Sequence, residues 1–180
     1  YATPRAFNGM LRRHSISRRI KDYHHPVYKE IAFNVGDFAI TPFEIMHDGT
    51  DNVGFLISAG GGAFRFVVVT DLGVVSERAH FYMSQATALM LESNYDAAML
   101  RDGHYPEYLK ARIAAETGHL DNADAADWLR ENYTPQLRHV FLCHLSNDNN
   151  TPEIAVAASR QALLDAGAAS VGDGSLSLDS

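Results

Sequence analysis

The sequence predicts one mixed α/β (α+β) domain over residues 1–180. Three observations predict it. Short apolar runs with polar or glycine-containing borders recur along the chain, as in VGFLISA (53–59), FRFVVVT (64–70) and ALMLE (88–92). Stretches carrying helix-start signals lie between such runs, so strands and helices share one core. No repeat or low-complexity linker divides the 180 residues, and 46% of them are hydrophobic, enough for one sizeable core.

The elements follow in order. Residues 4–14 read as a helix opened by Pro4, with Phe7, Met10 and Leu11 on one face. DFAITPFEIMH (37–47) reads as a strand whose Pro42 calls for an edge or a bulge. HDGTDN is a turn by composition. Residues 53–59 and 64–70 form a hairpin across a glycine-rich connection. Ser76 caps a helix over 77–86, with Glu77 at the positive end of its dipole. After the strand at 88–92, helices are expected near Asp96–Leu100, over 106–116, and from the Asp121 cap through 131, with Trp128 and Leu129 facing inward. A strand at 138–143 precedes a helix from Pro152 to Ala166, ended by Gly167. SLSLDS closes the chain as a short edge strand.

Composition excludes several classes. No apolar run is long enough to span a membrane as a helix, and there is no signal-peptide pattern. Cys143 is the only cysteine, so no internal disulfide forms; a reducing, cytoplasmic location is expected. A net charge of −7 argues against wholesale coating of nucleic acid. Yet seven of the 15 Lys and Arg residues fall in the first thirty, including Arg12, Arg13, Arg18 and Arg19. That stretch reads either as a solvated surface or as a face that meets phosphates.

Three polar residues end apolar runs. His47 ends EIMH, Asp71 ends VVVTD, and His144 ends VFLCH. Imidazole nitrogen and carboxylate oxygen are a ligand set for zinc, manganese or iron. Each residue also has a plainer reading: Asp71 as a turn residue before Leu-Gly, and either histidine as one satisfied by a neighbouring loop.

HDGTDNVGF, VVVTDLG, LESNYD, TGHLDN and CHLSNDNNTPE, in this order, resemble the later motifs of the metallo-β-lactamase fold, and most closely its YycJ/WalJ branch of bacterial DNA exonucleases. The likeness covers about residues 31–160. It implies a four-layer αββα sandwich and a hydrolase with two divalent metal ions, zinc or manganese, acting on DNA phosphodiesters. By the same resemblance His47, Asp71 and His144 match metal ligands, with Asp71 bridging. Glu92 and His119 resemble the Glu–His pair of the related tRNA 3′-processing nucleases, where the histidine protonates the leaving oxygen. Tyr95 departs from the family pattern, in which a histidine is common. The principal motif, His-x-His-x-Asp-His, is missing: His14, His24 and His25 do not have its spacing. The expectation is therefore a C-terminal portion of such a domain lacking its N-terminal segment. Two rivals remain: a hydrolase of the same fold acting on a small phosphodiester or ester, and a non-catalytic scaffold fragment.

Overall fold

Apolar residues at every second strand position demand a sheet with one well-covered face, and that is what forms. The computed structural model describes residues 1–12, 18–169, 171 and 176–180. Its helices and strands are α1 (Pro4–Leu11), β1 (Phe33–Val35), β2 (Phe38–Glu44), β3 (Val53–Ala59), β4 (Phe64–Val69), α2 (Glu77–Met83), β5 (Ala88–Glu92), α3 (Ala97–Asp102), α4 (Glu107–Ile113), α5 (Asn122–Asn132), β6 (His139–Cys143), α6 (Pro152–Asp165) and β7 (Ser177–Asp179).

The seven strands form one sheet in sequence order. β1 to β4 pair antiparallel, and β4 to β7 pair parallel through helical crossovers. It follows that β2, β4, β5 and β6 all run the same way. Their carboxyl ends open on one edge of the sheet, where open α/β sheets collect functional groups.

The core lies on one face. Phe43, Leu56, Val67, Val69, Leu89, Leu91, Val140 and Leu142 alternate inward and meet Ala79, Tyr82 and Met83 of α2, Trp128 and Leu129 of α5, and Leu163 of α6. Each fully buried Leu or Val contributes about 1.5–3 kcal/mol. The opposite face carries a second apolar row in register, Phe55–Val68–Met90–Phe141, only half-buried. Among the described residues this chain supplies one sheet and its helices, rather than both sheets of a sandwich.

Helix starts lie within a residue or so of those expected, whereas α1, α2 and α4 end about three residues early, at Leu11, Met83 and Ile113. Ser76 accepts from the Ala79 N–H, Asp96 from Ala98 and Met99, and Asp121 from Asp124. The strand expected at 37–47 ends earlier, at Glu44, because its pairing with Val53 is the last rung. A further strand, β1, is not among the expected elements. The two-residue turn Gly36–Asp37, with Gly36 at φ 56°, folds Phe33–Val35 back onto Phe38–Ile40. β1 covers β2 only as far as Ile40, so Pro42 lies beyond its last rung, where the Pro42 carbonyl accepts from the Glu30 N–H at 2.8 Å. No helix among the described residues is long and apolar enough to cross a membrane.

Candidate metal centre

Each candidate residue arrives at the carboxyl edge by its own short path. His47 lies three residues past β2, Asp71 two past β4, Glu92 at the last position of β5 and His144 one past β6. His119 comes from the loop before α5. Asp71 and His144 both hold left-handed backbone, at φ 58° and 57°. For residues with a Cβ this costs roughly 1–2 kcal/mol each, and such strain gathers at functional sites. Neither residue is glycine, so what the positions retain is the side chain.

The imidazoles share one arrangement. His47 Nδ1 lies 2.9 Å from the Gly118 carbonyl, which only accepts, so Nδ1 carries the proton and Nε2 keeps its lone pair. His119 Nδ1 and His144 Nδ1 donate to the same oxygen, Glu92 Oε1, at 2.8 and 2.7 Å. Glu92 Oε2 accepts from the Leu72 N–H at 2.7 Å. All three rings thus leave Nε2 available, the state a metal-binding histidine needs. His119 sits between the other two, with ring centroids 5.1 Å from each. Asp71 Oδ1 lies 3.9 Å from His47 Nε2 and 3.6 Å from His144 Nδ1.

Glu92 is fully buried. Burial alone would raise its carboxyl pKa, but donation from His119, His144 and the Leu72 N–H outweighs burial and holds it below the usual range. Reciprocally, the hydrogen bond to Glu92 raises the pKa of His144. One atom each from His47, Asp71 and His119 lie within 4.8 Å of one another, and so do one each from Glu92, His119 and His144. The five residues singled out in the sequence therefore stand in one place. The sequence gives no sign that Glu92 serves two histidines, nor that His119 stands as close to His47 and Asp71 as a ligand would.

A cavity of about 240 Å³ opens on these groups, lined by His47, Asp48, Asp71, His119 and His144 on one side and by Leu109, Arg112 and Ile113 of α4 on the other. Asp48 and Arg112 are not among the sequence candidates. Asp48 Oδ2 accepts from Arg112 Nε at 2.6 Å, and that bond holds the Asp48 carboxyl below its ordinary range. The available signal was small: HD immediately after the run EIM, and an arginine in the helix before TGH.

Two glycines let the site close. A Cβ on Gly73 would stand 2.4 Å from the Ala115 carbonyl oxygen, and one on Gly118 would stand 2.1 Å from that of Ile113. Only glycine allows the loop after Asp71 and the loop before His119 to pack so closely. Tyr95, where the family favours histidine, is buried and does not line the cavity.

Of the basic stretch, Arg12 is exposed just beyond α1, and Arg19 is exposed and partnered. Arg13 and the Arg18 side chain lie outside the described residues. Asp22 follows Arg18 and Arg19 at four and three residues, so the stretch has an acidic neighbour of its own.

A family model described as a beta-lactamase superfamily domain matches residues 1–144. Exodeoxyribonuclease YycJ of Bacillus anthracis is 35% identical over 132 residues, which are 73% of this chain and 49% of that protein. Exodeoxyribonuclease WalJ of Streptococcus pneumoniae serotype 2 (strain D39) is 33% identical over 120 residues, 67% of this chain and 44% of that protein. The chain thus spans about half the length of the curated relatives it matches. The metallo-beta-lactamase fold protein YhfI from Bacillus subtilis superposes with a TM-score of 0.58 at 15% identity, covering 86% of this chain and 51% of that one. That likeness carries the fold alone.

Proposed function

This chain belongs to the metallo-β-lactamase superfamily, and on that premise we propose that it is the later portion of a metal-dependent DNA phosphodiesterase, an exonuclease. The observation that carries the reading is the trio of imidazoles with Nδ1 engaged and Nε2 available, gathered around the Asp71 carboxylate. The two exodeoxyribonuclease relatives support DNA as the substrate.

The donor set fits two divalent cations, zinc or manganese. Neutral imidazole and carboxylate are the ligands such ions take, and a buried carboxylate behind two histidines is the usual support. His47, Asp71 and His144 would hold them. When bound, the cations supply Lewis-acid stabilisation of charge on the phosphate and activate water.

The chain's own residues do the rest. Glu92 orients His119 and His144 by accepting from both Nδ1 atoms. His119, oriented in this way, is the proton donor to the leaving oxygen of the scissile phosphodiester. Leu109 and Ile113 narrow the cavity and limit access of bulk water to it. Arg12, Arg13, Arg18 and Arg19 meet the DNA backbone. α1, which precedes them, lies near the site: Gly9 packs against Thr50 in the loop that follows His47 and Asp48. The half-buried apolar row on the open sheet face receives a second sheet from the remainder of the domain.

The test is nucleotide release from end-labelled DNA by the intact protein, after chelation and after re-addition of zinc or manganese. Release that returns with metal and is lost in Asp71→Ala supports the reading. A metal-loaded protein that releases nothing from DNA but hydrolyses a small phosphodiester favours the small-substrate rival, and one inert on both favours the scaffold.

A further inference from the structure

We propose that Arg112 binds a substrate phosphate at the mouth of the metal cavity, with Asp48 as its positioning residue. The inference rests on the phosphodiesterase reading and goes further, assigning a contact to the wall of the cavity that holds no candidate ligand. Among the described residues, histidines aside, Arg112 is the only cationic one lining a cavity that also carries the Asp48 and Asp71 carboxylates. A phosphodiester entering there meets fixed negative charge, and Arg112 is the group that compensates it.

The guanidinium has a free fork. Nε donates to Asp48 Oδ2, and no other partner takes Nη1 or Nη2 among the described residues. Two terminal nitrogens held in one plane are what bidentate phosphate recognition requires. Taken alone, a pair with Arg112 66% exposed would be an ordinary surface salt bridge of little worth. Its setting is different. Asp48 follows His47 directly, and its Oδ1 lies 3.5 Å from His47 Nε2. Asp48 therefore stands beside the central histidine while it holds the arginine.

The backbone fixes the same relation. The Asp48 N–H donates to the Thr117 carbonyl at 2.9 Å, and His47 Nδ1 donates to that of Gly118. The His119 N–H donates to the Ile113 carbonyl at 2.8 Å, and Gly118 rests on the carbonyls of Arg112 and Ile113. Residues 47–48 and 112–119 thus form one braced unit. Arg112 leaves α4 from a fixed point, so its side chain loses less freedom on gripping a phosphate than a loop arginine would.

The variants are Arg112→Gln, Arg112→Lys and Asp48→Asn in the intact protein. The first readout is binding of a fluorescent single-stranded oligonucleotide to chelator-treated protein across a salt series. The second is KM against kcat for DNA hydrolysis with metal restored. Arg112→Gln is expected to bind about ten- to hundredfold more weakly, with a log affinity–log salt slope smaller by about 0.7. The loss falls mainly on KM. Arg112→Lys keeps the slope and recovers part of the affinity, whereas Asp48→Asn keeps the slope and weakens binding less than Arg112→Gln. An unchanged slope and KM in Arg112→Gln, whether or not its unfolding midpoint moves, would overturn the assignment and leave a structural brace. Wild-type protein that neither binds nor degrades DNA would instead overturn the phosphodiesterase reading beneath it.

Discussion

Replacing Glu92 by Gln removes one charge and almost no volume from the most buried polar group of the centre. The carboxylate accepts three hydrogen bonds, from His119 Nδ1, His144 Nδ1 and the Leu72 N–H. A glutamine has one accepting oxygen and one donating NH₂. If the oxygen faces the histidines, NH₂ meets the Leu72 N–H, donor against donor. If it faces Leu72, both histidines meet NH₂, and each must move its proton to Nε2 to accept. That second arrangement blocks the nitrogens a metal would use. Either way the charge-assisted bonds become neutral ones, and the first arrangement also leaves a donor at a fully buried group unmatched, a loss of about 2–4 kcal/mol of stability in the metal-free protein. Metal affinity falls by about ten- to a hundredfold, as expected when a group orienting metal ligands is removed. Urea unfolding under chelation reads the first quantity and competition with a chromophoric chelator reads the second. A variant within about 0.5 kcal/mol of wild type, with undiminished metal affinity, would refute the view that Glu92 fixes the histidine tautomers.

Asp71→Ala is expected to cost more DNA-hydrolysing activity than His119→Ala, since on the proposed reading the first removes the charge shared by the cations and the second a proton donor worth about a hundred- to ten-thousandfold; the ratio of the two kcat/KM values decides. Converting Arg12, Arg13, Arg18 and Arg19 to Gln lowers the salt slope of DNA binding by about 0.7–0.9 for each phosphate no longer neutralised, with turnover of a small model phosphodiester barely changed; an unaltered slope makes the stretch a plain solvated surface. The Cys143 thiol is pushed up to about 12 by burial and then by the charges of Glu92 and Asp71. In chelator-treated, folded protein at neutral pH it should alkylate far more slowly than after unfolding, and equal rates would contradict the burial.

The parts of this site that local pattern encodes are legible in the sequence. His47, Asp71 and His144 are visible because each breaks an apolar run, and parallel strands bring such breaks to one edge. Helix starts are legible through Ser76, Asp96 and Asp121, whose caps act within three residues. Glu92 and His119 read locally as a strand end and a loop residue; only the likeness to a family joins them. The Asp48–Arg112 contact spans 64 positions and leaves no periodic trace, so Arg112 reads as one more charge on an amphipathic helix. β1 escapes notice because three residues are too few to show alternation, although Gly36–Asp37 holds the turn signal. The left-handed backbone at Asp71 and His144 leaves only a weak sequence sign, since aspartate and histidine tolerate it but glycine or asparagine would mark it more plainly.

The measurement that bears most directly on the metal centre is a metal-edge anomalous difference map from crystals of the intact protein loaded with zinc or manganese. Density is expected at the carboxyl edge of the sheet, within about 2.0–2.2 Å of the Nε2 atoms of His47 and His144 and of an Asp71 oxygen, with Glu92 still receiving both Nδ1 protons. Metal held elsewhere, bound through Nδ1, or absent from crystals of protein active on DNA would contradict the proposed centre.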